Sequence, residues 1–457
     1  MGHDGSLYEI AQWYPRMCVY DDVHGWNHEP YIGAGEFYLE YGNFDVRLTV
    51  PREYIVAATG DLKNADSVLT PTQRARLTAA RASATPVAII TREEASNLAM
   101  TRPGVPTPAP GSLRPLTWHF HADSVRDFAF AAGPGMQWDA SGYNNILIES
   151  LYRPKADKWG EVNRMGSEAI KVFSEQWFPY PYSHATTIEG PIEGMEYPML
   201  TFTPNSPTRE EQQWVIAHEF GHEWFPMVVG SNERLYPWMD EGFNTFIDLG
   251  NAAKYFGGTR YGDTIEVHPL HLYADHAKPG DEQPLIENPT EVRDLFWGGY
   301  QKPALMMQML RGEVLGRDRF DNAFREYIRT WAFKHPTPAD FFRLMRDNAG
   351  MDLDWFWRDW IYTTSRLDQS IDSVSARPDG GSNIYLSNRQ TMVMPATLSL
   401  NFEDGALSVV RLPVEMWNLG DHFVYQVPQK TRVTSAVLDP NKALPDIDRA
   451  NNAWPRK

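Results

Sequence analysis

His218, Glu219 and His222 stand in the stretch Ala217-His218-Glu219-Phe220-Gly221-His222-Glu223-Trp224-Phe225, and Glu241 follows in Trp238-Met239-Asp240-Glu241-Gly242. Residues four apart in a helix leave the same face one turn from each other, so the two imidazoles can offer nitrogens to one zinc ion. Glu219 lies about 100° round that helix, where a carboxylate reaches a water on the metal without being a ligand. Structural zinc sites are closed by four protein ligands, whereas catalytic ones use three and leave a position for water. The one cysteine, Cys18, cannot build a thiolate site. Glu241 instead completes an open set of two histidines and one glutamate, and Asp248, on the same helix face as Glu241, is a candidate partner for a ligand histidine. The competing reading is two core histidines beside a surface glutamate, with Glu241 an ordinary first-turn acid favoured by the helix dipole.

These side chains need helices to carry them. Thr208-Arg209-Glu210-Glu211 has the T-x-x-E form of a capping box, and Pro226 stops the pattern after Phe225. Trp214, Phe220 and Trp224 can line a buried side, which pins the histidine helix in a core. A second helix starts at Asp240 and Glu241 and runs to about Leu249. Upstream, Thr186 to Thr203 contains Glu193-Gly194-Met195-Glu196-Tyr197-Pro198, an edge strand ending at Pro198, with a glycine where backbone can approach a ligand and an acid two residues later.

The chain has 457 residues, 42% hydrophobic and 13% aromatic, enough for two or three domains with cores of their own. Its formal charge of −17 argues against a nucleic-acid surface and favours cationic ligands such as a free peptide N-terminus. No apolar run of about 18 residues occurs, so no membrane span is expected. Met1 to Ser6 has no apolar signal-peptide core, and the chain enters aromatic sequence abruptly at Gln12-Trp13-Tyr14-Pro15-Arg16. Localisation and oligomeric state stay open.

Alternation predicts strands at Gly35 to Tyr41, Phe44 to Val50, Tyr54 to Ala58, Leu116 to His121 and Asn145 to Leu151. Helical composition covers Asp61 to about Ala84 and Glu161 to Trp177. Thr101 to Pro115, with five prolines, is expected to be an irregular loop or insertion. His119 and His121 share a strand face, and His268, His271 and His276 cluster in sequence; satisfied structural histidines are favoured over a ligand pair for the first group, and a polar loop or helix face over a second metal for the other. Asp318 to Trp331 and Pro338 to Asn348 are amphipathic helices, and Leu353 to Tyr362 is an aromatic core stripe. From Asp368 short alternating runs at Asn383 to Leu386, Ala396 to Phe402, Leu407 to Leu412, Phe423 to Val427 and Thr434 to Leu438 predict a small β-sandwich, followed after Asn441 by a loosely held polar tail.

Glu-Gly-Met-Glu-Tyr at 193–197, His-Glu-Phe-Gly-His-Glu-Trp-Phe at 218–225, Trp-Met-Asp-Glu-Gly-Phe at 238–243, Tyr300-Gln301-Lys302 and Leu353-Asp354-Trp355-Phe356-Trp357 resemble, in this order, the gluzincin zinc aminopeptidases of the aminopeptidase N and leukotriene hydrolase family. The resemblance covers roughly Gln12 to Tyr362. It implies that His218, His222 and Glu241 bind one zinc, that Glu219 is the general base, that Glu196 holds the substrate α-amine in a strand with Gly194 and Met195, and that Tyr300 stabilises the oxyanion. The family motif G-x-M-E-N is altered at both ends, by Glu193 and Tyr197, which changes the expected shape and charge of the amine site. Pro303 stands where glycine is common, at the start of an expected helix from about Ala304 to Leu315. Gln12 falls in a segment that approaches the first substrate pocket in relatives.

The expectation is a multidomain α+β chain: a partial N-terminal β domain with the Pro-rich insertion at 1–133, a thermolysin-like mixed α/β catalytic domain at 134–365 and a C-terminal β-sandwich at 366–457. The first portion of the N-terminal sheet is expected to be missing, by truncation or by natural shortening. The activity expected is removal of N-terminal residues from peptides by zinc-activated water. A zinc endopeptidase or epoxide hydrolase would use the same metal set, and a catalytically silent peptide-binding scaffold is the reading from another class.

Overall fold

The computed structural model describes residues 1–97, 115–255, 268–278, 280 and 282–456, with two compact units. The first comprises Met1–Arg234, Met239–Asp263 and Ile328–Thr337; the second comprises Leu235–Trp238, Thr264–Tyr327 and Pro338–Lys457. The architecture is multidomain α+β. The Pro-rich stretch at 101–114 lies outside the described residues.

The first unit is built on three main sheets. Gly2–Asp4, Leu7–Ile10, Phe130–Gly133 and Ile55–Ala58 form an antiparallel sheet in that order, and Gly42–Val50, Leu116–Val125 and Asp61–Leu62 form another. The six-stranded sheet runs Met195–Tyr197, Leu200–Thr203, His184–Glu189, Ile146–Tyr152, Gln137–Tyr143, Val87–Ile90. Its central pairings, Ile146–Tyr152 with His184–Glu189 and His184–Glu189 with Leu200–Thr203, are parallel. Strands covered on both faces lose the alternation that marks a half-buried strand, and all seven residues of Ile146–Tyr152 are buried. Met195–Tyr197 is the edge strand and ends before Pro198, which has no N–H to extend the ladder. Helix Val162–Gln176 packs on this sheet and against the helix Arg209–Gly221. Gly166 permits the close crossing, since a Cβ there would lie 2.5 Å from the Phe220 ring.

The Asp61 to Ala84 expectation resolves into a two-residue strand and helices Ala65–Val68 and Pro71–Arg81. The longer helix has a capping box between Thr70 and Gln73 and proline in its first turn, where no N–H is lost. Two other expectations are corrected. Gly35 to Tyr41 is not a strand; its ordered pairing is one bridge, Cys18 to Leu39. Gly35 has φ +68, which breaks an extended run, and the local backbone groups are taken by side chains of Glu233 and Arg234. The tail after Asn441 is not loose: Leu444, Asp446, Asn451 and Asn452 are buried, Leu367 bridges Asp446, and Ala453–Trp454 pairs with Val433–Leu438.

In the second unit, helices Lys302–Met309 and Pro338–Ala349 and the run Asp354–Tyr362 bury an aromatic cluster that includes Phe341, Trp357 and Trp360. Two π-helical turns, Phe296–Gln301 and Leu310–Val314, flank Lys302–Met309, so the expected helix from Ala304 to Leu315 is interrupted. The C-terminal β region matches its expected pattern. One sheet holds Gln369–Ala376, Ser382–Asn388 and His422–Gln426; the other holds Leu407–Leu412, Ala396–Phe402, Val433–Leu438 and Ala453–Trp454. Ile371, Ile384 and Leu386 from one meet Leu398, Leu400 and Ala436 from the other in one core, which makes a sandwich.

The central strand also carries a buried acid. Glu149 accepts hydrogen bonds from Trp138 Nε1 and Thr186 Oγ1, both at 3.1 Å, and burial pushes its carboxyl from the usual 4.5 up to about 7. A carboxyl whose folded pKa is raised destabilises the fold above its unfolded pKa: the cost is absent below about pH 4.5, grows between about 4.5 and 7, and is constant above, at roughly 3 kcal/mol. Glu149→Gln is therefore expected to raise the urea-unfolding midpoint near neutral pH and above, with no gain near pH 4. A midpoint shift equal at both pH values would contradict the burial argument.

Candidate metal and catalytic site

The histidine helix, Arg209–Gly221, begins at the expected capping box: Thr208 Oγ1 accepts from Glu211 N at 3.1 Å and Glu211 Oε2 accepts from Thr208 N at 3.0 Å. It ends earlier than Pro226 alone would require. His222 is the C-cap, with φ −59 and ψ −18, so it keeps helical geometry and its imidazole stays on the His218 face. Glu241 opens the facing helix, Glu241–Tyr255, longer than expected. Gly221 lets the two helices approach, since a Cβ on it would lie 2.0 Å from Asn244 Oδ1 and 3.2 Å from Asp248 Oδ1. Asn244 Nδ2 donates to the His218 carbonyl at 2.8 Å, locking that approach.

His218 Nε2, His222 Nε2 and Glu241 Oε2 form a triangle with edges of 3.2, 3.2 and 3.3 Å. The other ring nitrogens are committed. His218 Nδ1 lies 2.7 Å from Asp248 Oδ2; His222 Nδ1 lies 2.8 Å from the Phe225 carbonyl and 2.9 Å from Asp240 Oδ1. Facing acceptors, each Nδ1 carries the proton, which turns both Nε2 lone pairs toward one another and toward Glu241. Three acceptors this close need a cation between them. A tetrahedral zinc with bonds of about 2.0–2.1 Å spaces its ligands roughly 3.3 Å apart, so the donor set fits that ion. Asp248 and Asp240, both fully buried, orient the two imidazoles as carboxylates commonly do behind metal-bound histidines.

Glu219 is 5% exposed, and its Oε2 has no hydrogen-bond partner among the described residues. Burial pushes its carboxyl up to about 7. Gly194 is shaped by this neighbour: a Cβ there would stand 2.6 Å from Glu219 Oε1. The edge strand that follows presents half-buried Met195 and buried Glu196, whose carboxylate lies within 4.8 Å of ligand atoms of His222 and Asp240. Glu193 is exposed and points no buried charge at the site. Tyr197 is buried, and its hydroxyl accepts from Gln12 Nε2 at 2.6 Å.

The structure thus brings together His218, His222, Glu241, Glu219, Gly194, Met195 and Glu196 within the first unit. Tyr300 is half-buried in the π-helical turn Phe296–Gln301 of the second unit, stacked on Phe296. In the same unit Lys302 forms a fully buried ion pair with Glu282 at 2.6 Å. The other histidines form no metal group among the described residues: His119 pairs with Asp45 and His121 with Asp123, while His276 pairs with Asp294 and stacks on Trp297. The side chains of His268 and His271 lie outside the described residues. Sequence reasoning missed Asp240 and Asn244, although a glycine inside the histidine motif was a signal for close helix approach. It also missed Glu36 and Glu233, whose carboxylates cluster with Glu196 within 4.8 Å and for which no local pattern exists.

Residues 195–360 match the model of the Peptidase family M1 domain. The chain is similar to Aminopeptidase M1 of Arabidopsis thaliana, with 23% identity over 45% of this chain and 25% of that protein. It is similar to Endoplasmic reticulum aminopeptidase 1 of Homo sapiens, with 28% identity over 28% of this chain and 14% of that protein. The chain thus spans a quarter or less of these relatives. Among solved structures, Legionella pneumophila aminopeptidase A in complex with aspartic acid superposes with a TM-score of 0.62 and 16% identity, covering 89% of this chain and 44% of that one. A mutant of the M1 zinc metallopeptidase from Deinococcus radiodurans gives a TM-score of 0.51 and 20% identity, covering 71% and 65%. Both likenesses concern the fold. Among the described residues no helix is long and apolar enough to cross a membrane.

Proposed function

We propose that this chain, a distant homologue of the M1 peptidases and a metallopeptidase of that family, is an aminopeptidase that removes residues from peptides with a free N-terminus. The observation that carries the reading is Glu196, a carboxylate 4% exposed and set beside the His218, His222 and Glu241 triangle.

His218, His222 and Glu241 would hold one zinc ion. When bound, zinc supplies a Lewis acid that acidifies water and polarises a carbonyl. Glu219 takes the proton from the attacking water and returns it to the leaving amine. Glu196 binds the α-ammonium and thereby fixes which peptide bond meets the water. Met195 and Gly194 belong to the last strand of the six-stranded sheet, whose outer edge is available to backbone hydrogen bonds from an extended peptide. Tyr300, assigned through the Tyr300-Gln301-Lys302 match, donates its hydroxyl to the carbonyl oxygen as charge builds there. The division at 1–133, 134–365 and 366–457 is kept as the proposed domain organisation.

Cleavage of a peptide and its N-acetylated copy tests the reading. The free peptide is expected to be cut at least tenfold faster, and Glu196→Ala to reduce that ratio. Equal cleavage of the two by the wild type would instead support an endopeptidase. Stoichiometric zinc with no turnover of any aminoacyl or peptide substrate would support a silent scaffold.

A further inference from the structure

The six-stranded sheet turns Glu196 to one face and Glu149 to the other. Its register pairs Glu149 with Thr186, Thr186 with Leu200 and Leu200 with Tyr197. Paired residues share a face and successive residues alternate, so Glu149 leaves the sheet on the Tyr197 side, away from Glu196. Ile148, beside Glu149 in the strand, points the opposite way and meets Gly166 of helix Val162–Gln176. The Glu149 face is covered by helix Pro71–Arg81: a Cβ on Gly142, which pairs with Leu147, would collide with the Arg81 carbonyl.

This cover is incomplete. Helices Ala65–Val68 and Pro71–Arg81, strands Ile55–Ala58 and Leu116–Val125, and the sheet enclose a cavity of about 670 Å³. Val56, Leu69, Leu77, Phe120, Leu147 and Leu151 give it apolar walls. Small-molecule sites have this character, roughly 300–1,000 Å³ of mostly apolar space with a few polar groups. Here the deep polar groups are Glu149, Thr186 and His184, all buried, while Lys63, Asp66 and Arg81 stand exposed at the rim.

The charges at the two levels differ in what they hold. At the rim Lys63 pairs with Asp61 at 3.3 Å, Arg74 pairs with Asp66, and Arg81 Nη1 donates to the Asn145 carbonyl at 3.1 Å. In the depth, Glu149 Oε1 accepts from Trp138 Nε1 and Oε2 from Thr186 Oγ1, each at 3.1 Å, which leaves each oxygen a further lone pair. Among the described residues no Lys or Arg forms an ion pair with Glu149, and burial pushes the His184 imidazole down to about 4, so it adds no positive charge at neutral pH. A buried carboxyl without a counter-charge is costly, and a cation with N–H donors relieves it. A ligand carboxylate would set a second negative group beside Glu149, and a wholly apolar ligand would leave its lone pairs uncovered.

We propose that this cavity is a second ligand site, taking a small organic amine whose ammonium donates to Glu149 and whose apolar body fills the space between Leu77, Phe120 and Leu151. It lies on the opposite face of the sheet from Glu196 and does not depend on the aminopeptidase reading.

Calorimetric titration of the zinc-loaded full chain tests it, with 4-phenylbutylamine, the neutral 4-phenyl-1-butanol and the anionic 4-phenylbutyrate as probes. The wild type is expected to bind the amine about 10- to 100-fold more tightly than the alcohol, the worth of a charge-assisted hydrogen bond. Glu149→Gln removes the charge and keeps the shape, and is expected to bring the two affinities together. Glu196→Ala is expected to keep the wild-type affinity for the amine. Leu77→Trp fills the cavity from the helix side and is expected to weaken amine and alcohol alike, a result that stands even where Glu149→Gln does not fold. No saturable binding at millimolar amine, equal affinity of the wild type for amine and alcohol, or an unchanged affinity in Leu77→Trp overturns the proposal. Tightest binding of the phenylbutyrate gives the cavity to an anion held by the rim cations and overturns it as well. Binding lost in Glu196→Ala but kept in Glu149→Gln places the amine at the metal site and does the same.

Discussion

Glu219→Gln is expected to lower kcat by about 10²- to 10⁴-fold, the usual worth of a positioned general base, while zinc content stays at that of the wild type. The side chain lies outside the donor triangle of His218, His222 and Glu241, so the substitution leaves every ligand atom in place. It is nearly isosteric, and the space it occupies against Gly194 admits no larger group without movement of the strand. The amide keeps the carbonyl oxygen as an acceptor but has no basic lone pair with which to take a proton. KM for an aminoacyl chromogenic substrate is expected to move little, because Glu219 acts on the water and the leaving amine. Elemental analysis and steady-state kinetics on the same preparation decide it. Less than a tenfold fall in kcat would remove Glu219 from the role of base, and loss of zinc would show that it supports the metal.

The parts of this site that were legible in the sequence are those written locally. The capping box at Thr208 and the four-residue spacing of His218 and His222 depend on residues within one or two turns, so the chain carries their geometry wherever it folds. Asp248 was legible for the same reason, one helical face with Glu241. Asp240 was not, although it adjoins Glu241, because its role depends on where the His222 ring turns after the helix ends. Gly35 to Tyr41 failed for a related reason. Alternation describes which side chains share a face, but not which partner takes the backbone groups; here side chains of Glu233 and Arg234 took those of Phe37 and Gly35, leaving Tyr38 and Glu40 to pair with Val19 and Met17 as a single bridge. The tail after Asn441 is polar in composition yet docked, because its polar groups are paired: Asp446 accepts from Gln369 N at 3.0 Å and Asn451 donates to Asp368 at 2.8 Å. Composition reports the cost of burying such groups, and only tertiary partners report that it is met.

His222→Ala is expected to abolish both zinc binding and turnover, and to weaken the fold beyond what loss of the metal explains. One edge of the triangle disappears, leaving His218 and Glu241 as a two-ligand set that does not hold zinc through purification. The second effect comes from the opposite side of the ring. His222 Nδ1 is the donor that meets Asp240 Oδ1 at 2.9 Å and the Phe225 carbonyl at 2.8 Å, and Asp240 is fully buried. Without the imidazole that carboxylate faces Glu196 and Glu241 with no donor on that side, and leaving a buried charge without its partner costs about 3–5 kcal/mol. Wild type stripped by a chelator provides the reference, since it has lost the metal and kept the ring. It is expected to regain activity on addition of zinc, which the variant does not, and to unfold at a higher urea concentration than the variant. Adding Asp240→Ala to His222→Ala removes the stranded charge, so the double variant is expected to recover part of the lost midpoint without recovering zinc. If His222→Ala unfolds together with chelated wild type, the Asp240 contact contributes nothing to stability, and its role is confined to orienting the ring.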